Sequence, residues 1–163
     1  MPPPDCTTIA ARLRRDLLEA APRLRALSES EAERRPAPGK WSPKEVLGHL
    51  VDSASNNHQR FVRARFQEDL VFPGYEQDDW VAAERWQERP WSEIVELWRL
   101  FNLHLAHVIE CTPGAIARRA HTRHNLHERA WRAIDPLEPA TLAWFEEDYV
   151  LHLEHHLAQA GVR

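Results

Sequence analysis

Three of the ten histidines of this chain lie close together near its C-terminus, at positions 152, 155 and 156. They belong to a segment with helical periodicity, and side chains three or four residues apart on a helix lie on the same face. His152 and His156 are therefore neighbours, about 40° apart around the axis, whereas His155 lies on the flank of that face. Because His155 lies on the flank, His152 and His156 are the better pair of candidate metal ligands. One shared cation would satisfy two buried imidazoles at once.

The same face extends in both directions as a stripe of six residues: Leu142, Phe145, Tyr149, His152, His156 and Gln159. Its alternating spacing of three and four is typical of the core-facing side of a bundled helix. A histidine on such a face is most often a hydrogen-bonded core residue, and this alternative stays open beside the metal-ligand interpretation. A metalloprotease is disfavoured, because Leu153 follows His152 where the H-E-x-x-H motif requires glutamate.

A second set of polar residues lies on a helix predicted from Ser42 to about Phe66. Its start combines an N-cap serine, a proline at the first helical position and a glutamate that completes a capping box. Four polar side chains fall within about 60° on this helix: His49, Ser53, Asn56 and Arg60. A solvated surface is the usual explanation of such a stripe. Because His49 adjoins the apolar side, it could instead face the core, and the spacing alone leaves it undecided.

The other elements predict an all-α protein. A first helix is expected over residues 5–33, with a kink or break at Pro22, and a third from Ser92 to Cys111. A last helix should run from Pro139 or Thr141 to about Ala160. Four helices with a long connection before the last one indicate a four-helix bundle, and we expect residues 1–163 to form a single domain.

The connecting segments are less regular. Residues 34–40 are a linker by composition, and residues 67–90 have the length of a loop that closes over a site. Residues 115–138 carry five arginines and three histidines. We favour a solvated connection there over a basic patch for an anionic substrate.

Composition excludes several functional classes. Hydrophobic residues make up 43% and charged residues 28% of the 163 positions, a balance typical of a folded soluble domain. The net charge of −4 gives no general reason to bind nucleic acid, and no apolar run reaches the ~20 residues of a membrane span. The N-terminus has no signal-peptide pattern, and the two cysteines have no C-x-x-C spacing, so we expect a cytoplasmic protein with free thiols.

Three blocks of the sequence resemble the DinB/YfiT-like superfamily. Residues 40–53, KWSPKEVLGHLVDS, followed by Asn56 and Arg60, resemble its second-helix signature. Tyr75 and Trp80 resemble its Tyr-to-Trp segment, and residues 149–159 are similar to its last helix, which carries an H-x-x-H-H stretch. The resemblance covers residues 9–160. It implies a four-helix bundle that binds one divalent metal through three residues: His49, His152 and His156.

The resemblance also implies an enzyme, with thiol S-transfer first and metal-dependent hydrolysis second. Members of the superfamily use low-molecular-weight thiols such as bacillithiol or mycothiol, so a small thiol and an electrophile are the expected partners. Three imidazoles leave open metal positions, as in catalytic sites. Zinc or nickel is the expected metal, with manganese or iron as alternatives. His124 is followed by Asn125 rather than the family's proline, and the connection to Thr141 is longer, so substrate specificity is the least transferable property.

Three further residues are catalytic candidates. Arg60 is expected to receive an anionic group of the thiol, unless it forms an ion pair with Glu76 or Asp79 instead. Asp52 or Asn56 is expected to orient His49 or a bound water. A non-catalytic bundle that binds a metal or ligand in a stress response stays open, because no obligatory general base stands beside the three histidines. The sequence also leaves open whether the protein is a homodimer.

Overall fold

A computed structural model describes residues 5–162, and over this range the chain forms eight α-helices and one 3₁₀ turn. The helices and the turn are α1 (Cys6–Ala26), α2 (Glu29–Glu33), α3 (Pro43–Ala64), α4 (Gln77–Glu84), the 3₁₀ turn (Trp86–Glu88), α5 (Trp91–Glu110), α6 (Gly114–Ala117), α7 (Leu126–Arg129) and α8 (Leu142–Gln159). The four long helices are α1, α3, α5 and α8. Helices α1 and α3 each pack against both α5 and α8, so the predicted four-helix bundle is confirmed.

The start of α3 is fixed by the predicted capping box. The Ser42 hydroxyl accepts a hydrogen bond from the Glu45 backbone N–H at 3.3 Å, and the Glu45 carboxylate accepts one from the Ser42 backbone N–H at 2.8 Å. Arg35 pairs with the same carboxylate, which is largely buried. A defined first turn sets the rotation of the whole helix, and thereby the direction in which His49 points.

The first helix does not break at Pro22, so the predicted break was wrong, whereas the alternative of a kink there stays a prediction. Helix α1 continues through Pro22 to Ala26. A proline removes the hydrogen bond to the carbonyl four residues earlier, here that of Leu18. Leu18 is 77% exposed and Pro22 is exposed as well, so this turn of the helix faces solvent, where water can bind the freed carbonyl. The chain bends instead at Leu27, because Ser28 begins α2 with a second capping box.

Gly48 lets the 3₁₀ turn approach α3 closely. The Trp86 side chain is 1% exposed, and a Cβ placed on Gly48 would lie 2.3 Å from its Cγ atom. No side chain fits between the helix and the indole at this separation. Trp86 therefore covers α3 one residue before His49, and it belongs to the connecting segment 67–90, which the sequence predicts to be a loop.

The connection before α8 is more buried than predicted. His121 and His124 are buried, and the backbones of His121 and Ala140 exchange hydrogen bonds of 2.8 and 3.0 Å. The interpretation of residues 115–138 as a solvated connection was therefore wrong for these histidines. The Asp148 carboxylate of α8 accepts the backbone N–H groups of Trp131 and Arg132, both at 2.8 Å, and this holds residues 130–132 beside α8.

None of the helices within residues 5–162 combines the length and the apolar character that crossing a membrane requires.

Candidate metal centre

His49 of α3 meets His152 and His156 of α8 inside the bundle. One ring nitrogen from each histidine lies within 4.8 Å of those of the other two. The His49 and His152 Nε2 atoms are 3.3 Å apart, and the closest ring centroids, those of His152 and His156, are 4.5 Å apart. His49 is 2% exposed. Helical spacing alone left the orientation of His49 undecided. In the structure His49 faces His152 and His156, the pair that the spacing favoured.

Burial keeps these imidazoles neutral. Loss of hydration, reinforced by the nearby His156, lowers the pKa of His49 to about 3. Burial and the other histidines hold the pKa of His152 well below its ordinary value, and burial also lowers that of His156. A neutral imidazole has a free nitrogen lone pair and is the form that binds a metal.

The donor set fits a divalent ion. The Nδ1–H of His156 donates to Gln159 Oε1 at 2.8 Å, which fixes the tautomer and leaves Nε2 as an acceptor. Metal-binding histidines are commonly oriented in this way by a second hydrogen bond. The Nε2 atoms of buried His49 and half-buried His152, 3.3 Å apart, would share a cation more favourably than they would share one proton. Within residues 5–162 the buried Nδ1 of His49 has no hydrogen-bond partner.

His155 lies outside this cluster. Its side chain is exposed, its ring centroid is 5.3 Å from that of Trp131, and its Nε2 is 3.0 Å from Gln159 Nε2. Trp41 covers the cluster on another side, with ring centroids 5.1 Å from His49 and 6.3 Å from His156.

A cavity of about 700 Å³ opens beside His49 and His152, and we call it the first cavity. Ser53, Asn57 and Arg60 of α3 form one wall, and Tyr149 belongs to the α8 wall. Segments 74–79 and 128–131 complete it. The loop after α3 therefore borders this cavity, and its predicted closure over a functional site stays a prediction.

Arg60 places a buried positive charge in this cavity. It is 6% exposed, and its guanidinium donates to the Pro73 carbonyl at 3.0 Å and to Asn57 Oδ1 at 3.4 Å. No carboxylate among residues 5–162 pairs with it, so the alternative ion pair with Glu76 or Asp79 is not formed. Burial, and secondarily the neighbouring Arg129, lowers the pKa of Arg60. Both effects would be relieved by an anion.

The other two catalytic candidates, Asp52 and Asn56, are not part of the cavity lining. Asn56 donates to the backbone carbonyl of Asp52 at 2.9 Å. Burial raises the pKa of Asp52 to about 7, with a further contribution from Glu84. The neighbouring Asn57 lines the cavity instead. Asn56 and Asn57 stand three and four residues after Ser53, so helical spacing alone does not separate them.

Tyr75 and Arg129 are cavity residues to which the sequence analysis gave no role. Burial raises the pKa of the Tyr75 phenol to about 12, and Arg60 opposes that shift. The Arg129 guanidinium occupies the space beside Gly74, where a Cβ would lie 2.3 Å from its Nη1 atom. Arg129 belongs to the arginine-rich connection, residues 115–138. That segment has no periodicity from which the orientation of a side chain could be predicted.

The fold and the histidine cluster together define a class of four-helix-bundle proteins with a potential metal centre. The family model of the DinB superfamily matches residues 10–160, and the chain belongs to that superfamily. Among solved structures it is similar to YfiT from Bacillus subtilis, described as a probable metal-dependent hydrolase with an unusual four-helix bundle topology. That match has 18% sequence identity and a TM-score of 0.77, and it covers 96% of this chain and 83% of YfiT. No curated protein matches the chain.

Proposed function

We propose that this protein is a metal-dependent enzyme that transfers a low-molecular-weight thiol to an electrophile. In this proposal His49, His152 and His156 hold one divalent ion, zinc or nickel. The observation that carries the proposal is the position of Arg60, a buried cation without a carboxylate partner among residues 5–162, in the same cavity as two of the histidines. Such a cavity suits a small molecule with an anionic end and a metal-seeking end.

The chemistry of the three imidazoles supports this reaction. A divalent ion bound there would supply Lewis acidity, which lowers the pKa of a thiol or of water. In the transfer, the thiol loses its proton to solvent and its sulfur electron pair forms a bond to the electrophilic carbon. The leaving group departs with the electrons of the bond that breaks, so atoms and charge balance.

The chain's own residues would orient the thiol. Arg60 can donate charge-assisted hydrogen bonds to a carboxylate of the thiol, and these are about twice as strong as neutral ones. Its contacts with Pro73 and Asn57 hold the guanidinium in place before the substrate arrives. The supporting roles of Asp52 and Asn56 stay predictions, and both would act through neighbours because neither lines the cavity.

Hydrolysis is the second candidate. One observation favours it, the structural similarity to YfiT, a probable metal-dependent hydrolase. Water would take the place of the thiol as the nucleophile, and an anionic ester or amide would occupy the first cavity beside Arg60.

The test is a metal-reconstitution assay with a panel of thiols. Protein freed of metal by a chelator is reloaded separately with zinc, nickel, manganese or ferrous iron and mixed with thiols and electrophiles. The exposed Cys111 is replaced by Ser, so that the protein's own accessible thiol does not consume the electrophile. We expect S-conjugates, detected by mass spectrometry, only with metal and preferentially from thiols that carry a carboxylate.

Three other outcomes would contradict the proposal. Thiol transfer by the metal-free protein at the same rate as by the metal-loaded protein would show that the metal has no role in the reaction. Metal-dependent cleavage of esters or amides without any thiol would favour the hydrolase. Binding of metal without turnover across the whole panel would favour a non-catalytic binding protein.

A further inference from the structure

A second cavity also borders the histidine cluster. Its volume is about 470 Å³, and its wall includes His156, whereas His49 and His152 line the first cavity. Gln77, the first residue of α4, belongs to both linings. The cluster is therefore accessible from two separate spaces that adjoin at one side chain.

The two cavities differ in chemical character. The first contains buried Arg60, along with Arg129 and several carboxylates. The second contains no carboxylate in the lining formed by the described residues, and Lys40 is its one side chain with a fixed charge. Its apolar wall is formed by Trp41, Val46 and Pro36, and its other side chains, Gln77, His156 and Gln159, carry no fixed charge. One small molecule would not match both environments, but two molecules of different polarity would.

Trp41 is the side chain best placed to bind a flat apolar molecule. It directly precedes the Ser42 cap of α3, so its backbone is anchored, and its ring packs 5.1 Å from that of His49. Offset stacking on an indole stabilises a planar ligand by about 0.5–1.5 kcal/mol beyond the burial of area. A molecule stacked on Trp41 within the second cavity would lie next to His156, whose orientation Gln159 fixes.

We propose that the second cavity binds the electrophilic co-substrate, a small, planar and uncharged apolar molecule, against Trp41. The thiol occupies the first cavity at the same time. This inference rests on the proposed two-substrate reaction, in which the sulfur and the electrophilic carbon must meet at the histidine cluster. Each substrate then enters from its own side, and neither has to displace the other.

The test is equilibrium binding of an uncharged aromatic probe, N-phenyl-1-naphthylamine, to the metal-loaded protein. We expect Trp41→Ala to weaken the binding of the probe about tenfold, which corresponds to roughly 1.4 kcal/mol. Trp131→Ala is the matched control, because Trp131 lines the first cavity, and it should leave the affinity for the probe unchanged. Metal content is measured in both variants, since Trp41 also contacts the ligand histidines. Equal affinity of Trp41→Ala and wild type would overturn the assignment.

A second measurement needs no substitution. In the wild-type protein, intermolecular nuclear Overhauser effects should connect the probe to the Trp41 indole and the Val46 methyl groups. Contacts with Tyr75 and Trp131 alone would place the probe in the first cavity and contradict the proposal. Because neither measurement depends on turnover, binding at Trp41 without any thiol transfer would refute the proposed reaction while leaving the second site intact.

Discussion

Two ionisable side chains at the centre of this protein, His49 and Arg60, are buried at a cost in folding free energy that a bound ligand could offset. The buried Nδ1 of His49 has no hydrogen-bond partner among the described residues, and Arg60 has no carboxylate partner there. An unsatisfied buried polar group costs about 1–3 kcal/mol. Arg60 keeps its hydrogen bonds to Pro73 and Asn57, so its cost is that of a buried charge without a counter-ion, and an anion in the first cavity would offset that cost.

Arg60 can be tested directly. In the metal-loaded enzyme, Arg60→Ala should raise KM for a carboxylate-bearing thiol roughly 10- to 100-fold, because a charge-assisted hydrogen bond of about 1.5–3 kcal/mol is lost. KM for a thiol without a carboxylate should change little. Arg63→Ala is the matched control, since Arg63 is exposed on the same helix and does not line the cavity. An unchanged KM for the carboxylate-bearing thiol, with metal content and folding intact, would show that Arg60 does not receive the anion.

At the scale of the elements, the contact between α3 and the 3₁₀ turn predicts the effect of Gly48→Ala. Alanine stabilises a helix by about 1 kcal/mol relative to glycine. The added Cβ, however, would lie 2.3 Å from the ring of Trp86, which is fully buried and cannot move into solvent. Overpacking of this kind costs about 1–3 kcal/mol. We therefore expect a net loss of stability, measured by urea unfolding.

Gln59→Ala provides the comparison for that substitution, because Gln59 is exposed on the same helix. It should be neutral or slightly stabilising. A Gly48→Ala protein more stable than wild type would mean that Trp86 does not pack against α3 as described.

The elements also show what could and could not be predicted from the sequence. The start of α3 and the buried stripe of α8 follow from local rules, since a capping box and a three-four spacing involve only neighbouring residues. Ser28-x-x-Glu31 carried the same signal for α2 and was missed. The break predicted at Pro22 was wrong because the cost of a proline depends on whether water reaches the carbonyl that loses its hydrogen bond. That access depends on the tertiary structure.

The choice between Asn56 and Asn57 was beyond local rules for a similar reason. The two side chains point about 100° apart on α3. Which of them lines the cavity depends on where Tyr75 and Arg129 pack over the helix. Those residues come from connections without periodicity, so their position could not be read from spacing.

At the scale of the whole molecule, buried carboxyl groups predict how stability depends on pH. Burial raises the pKa of both Asp52 and Glu146 to about 7. The folded state therefore binds more protons than the unfolded state between about pH 4.5 and 7. Stability should fall as pH rises through this range, by roughly 2–3 kcal/mol for Glu146 between pH 5 and pH 8.

Glu146→Gln should reduce that loss, because a neutral amide in place of the carboxyl has no charge to bury. The measurement is urea unfolding at both pH values on metal-free protein, since metal binding has its own pH dependence. Glu19→Gln, at an exposed carboxyl, should keep the wild-type slope. If Glu146→Gln also keeps that slope, Glu146 is ionised in the folded protein at neutral pH.

The bundle brings one histidine from α3 and two from α8 to one point, and the proposed function depends on their binding a metal together. The most direct test is elemental analysis after the protein is loaded with zinc or nickel and dialysed. Wild type and His155→Ala should each retain about one equivalent, because His155 faces outward, whereas His49→Ala, His152→Ala and His156→Ala should each lose most of it. A folded His49→Ala protein that keeps a full equivalent, or a His155→Ala protein that loses it, would contradict the three-histidine centre.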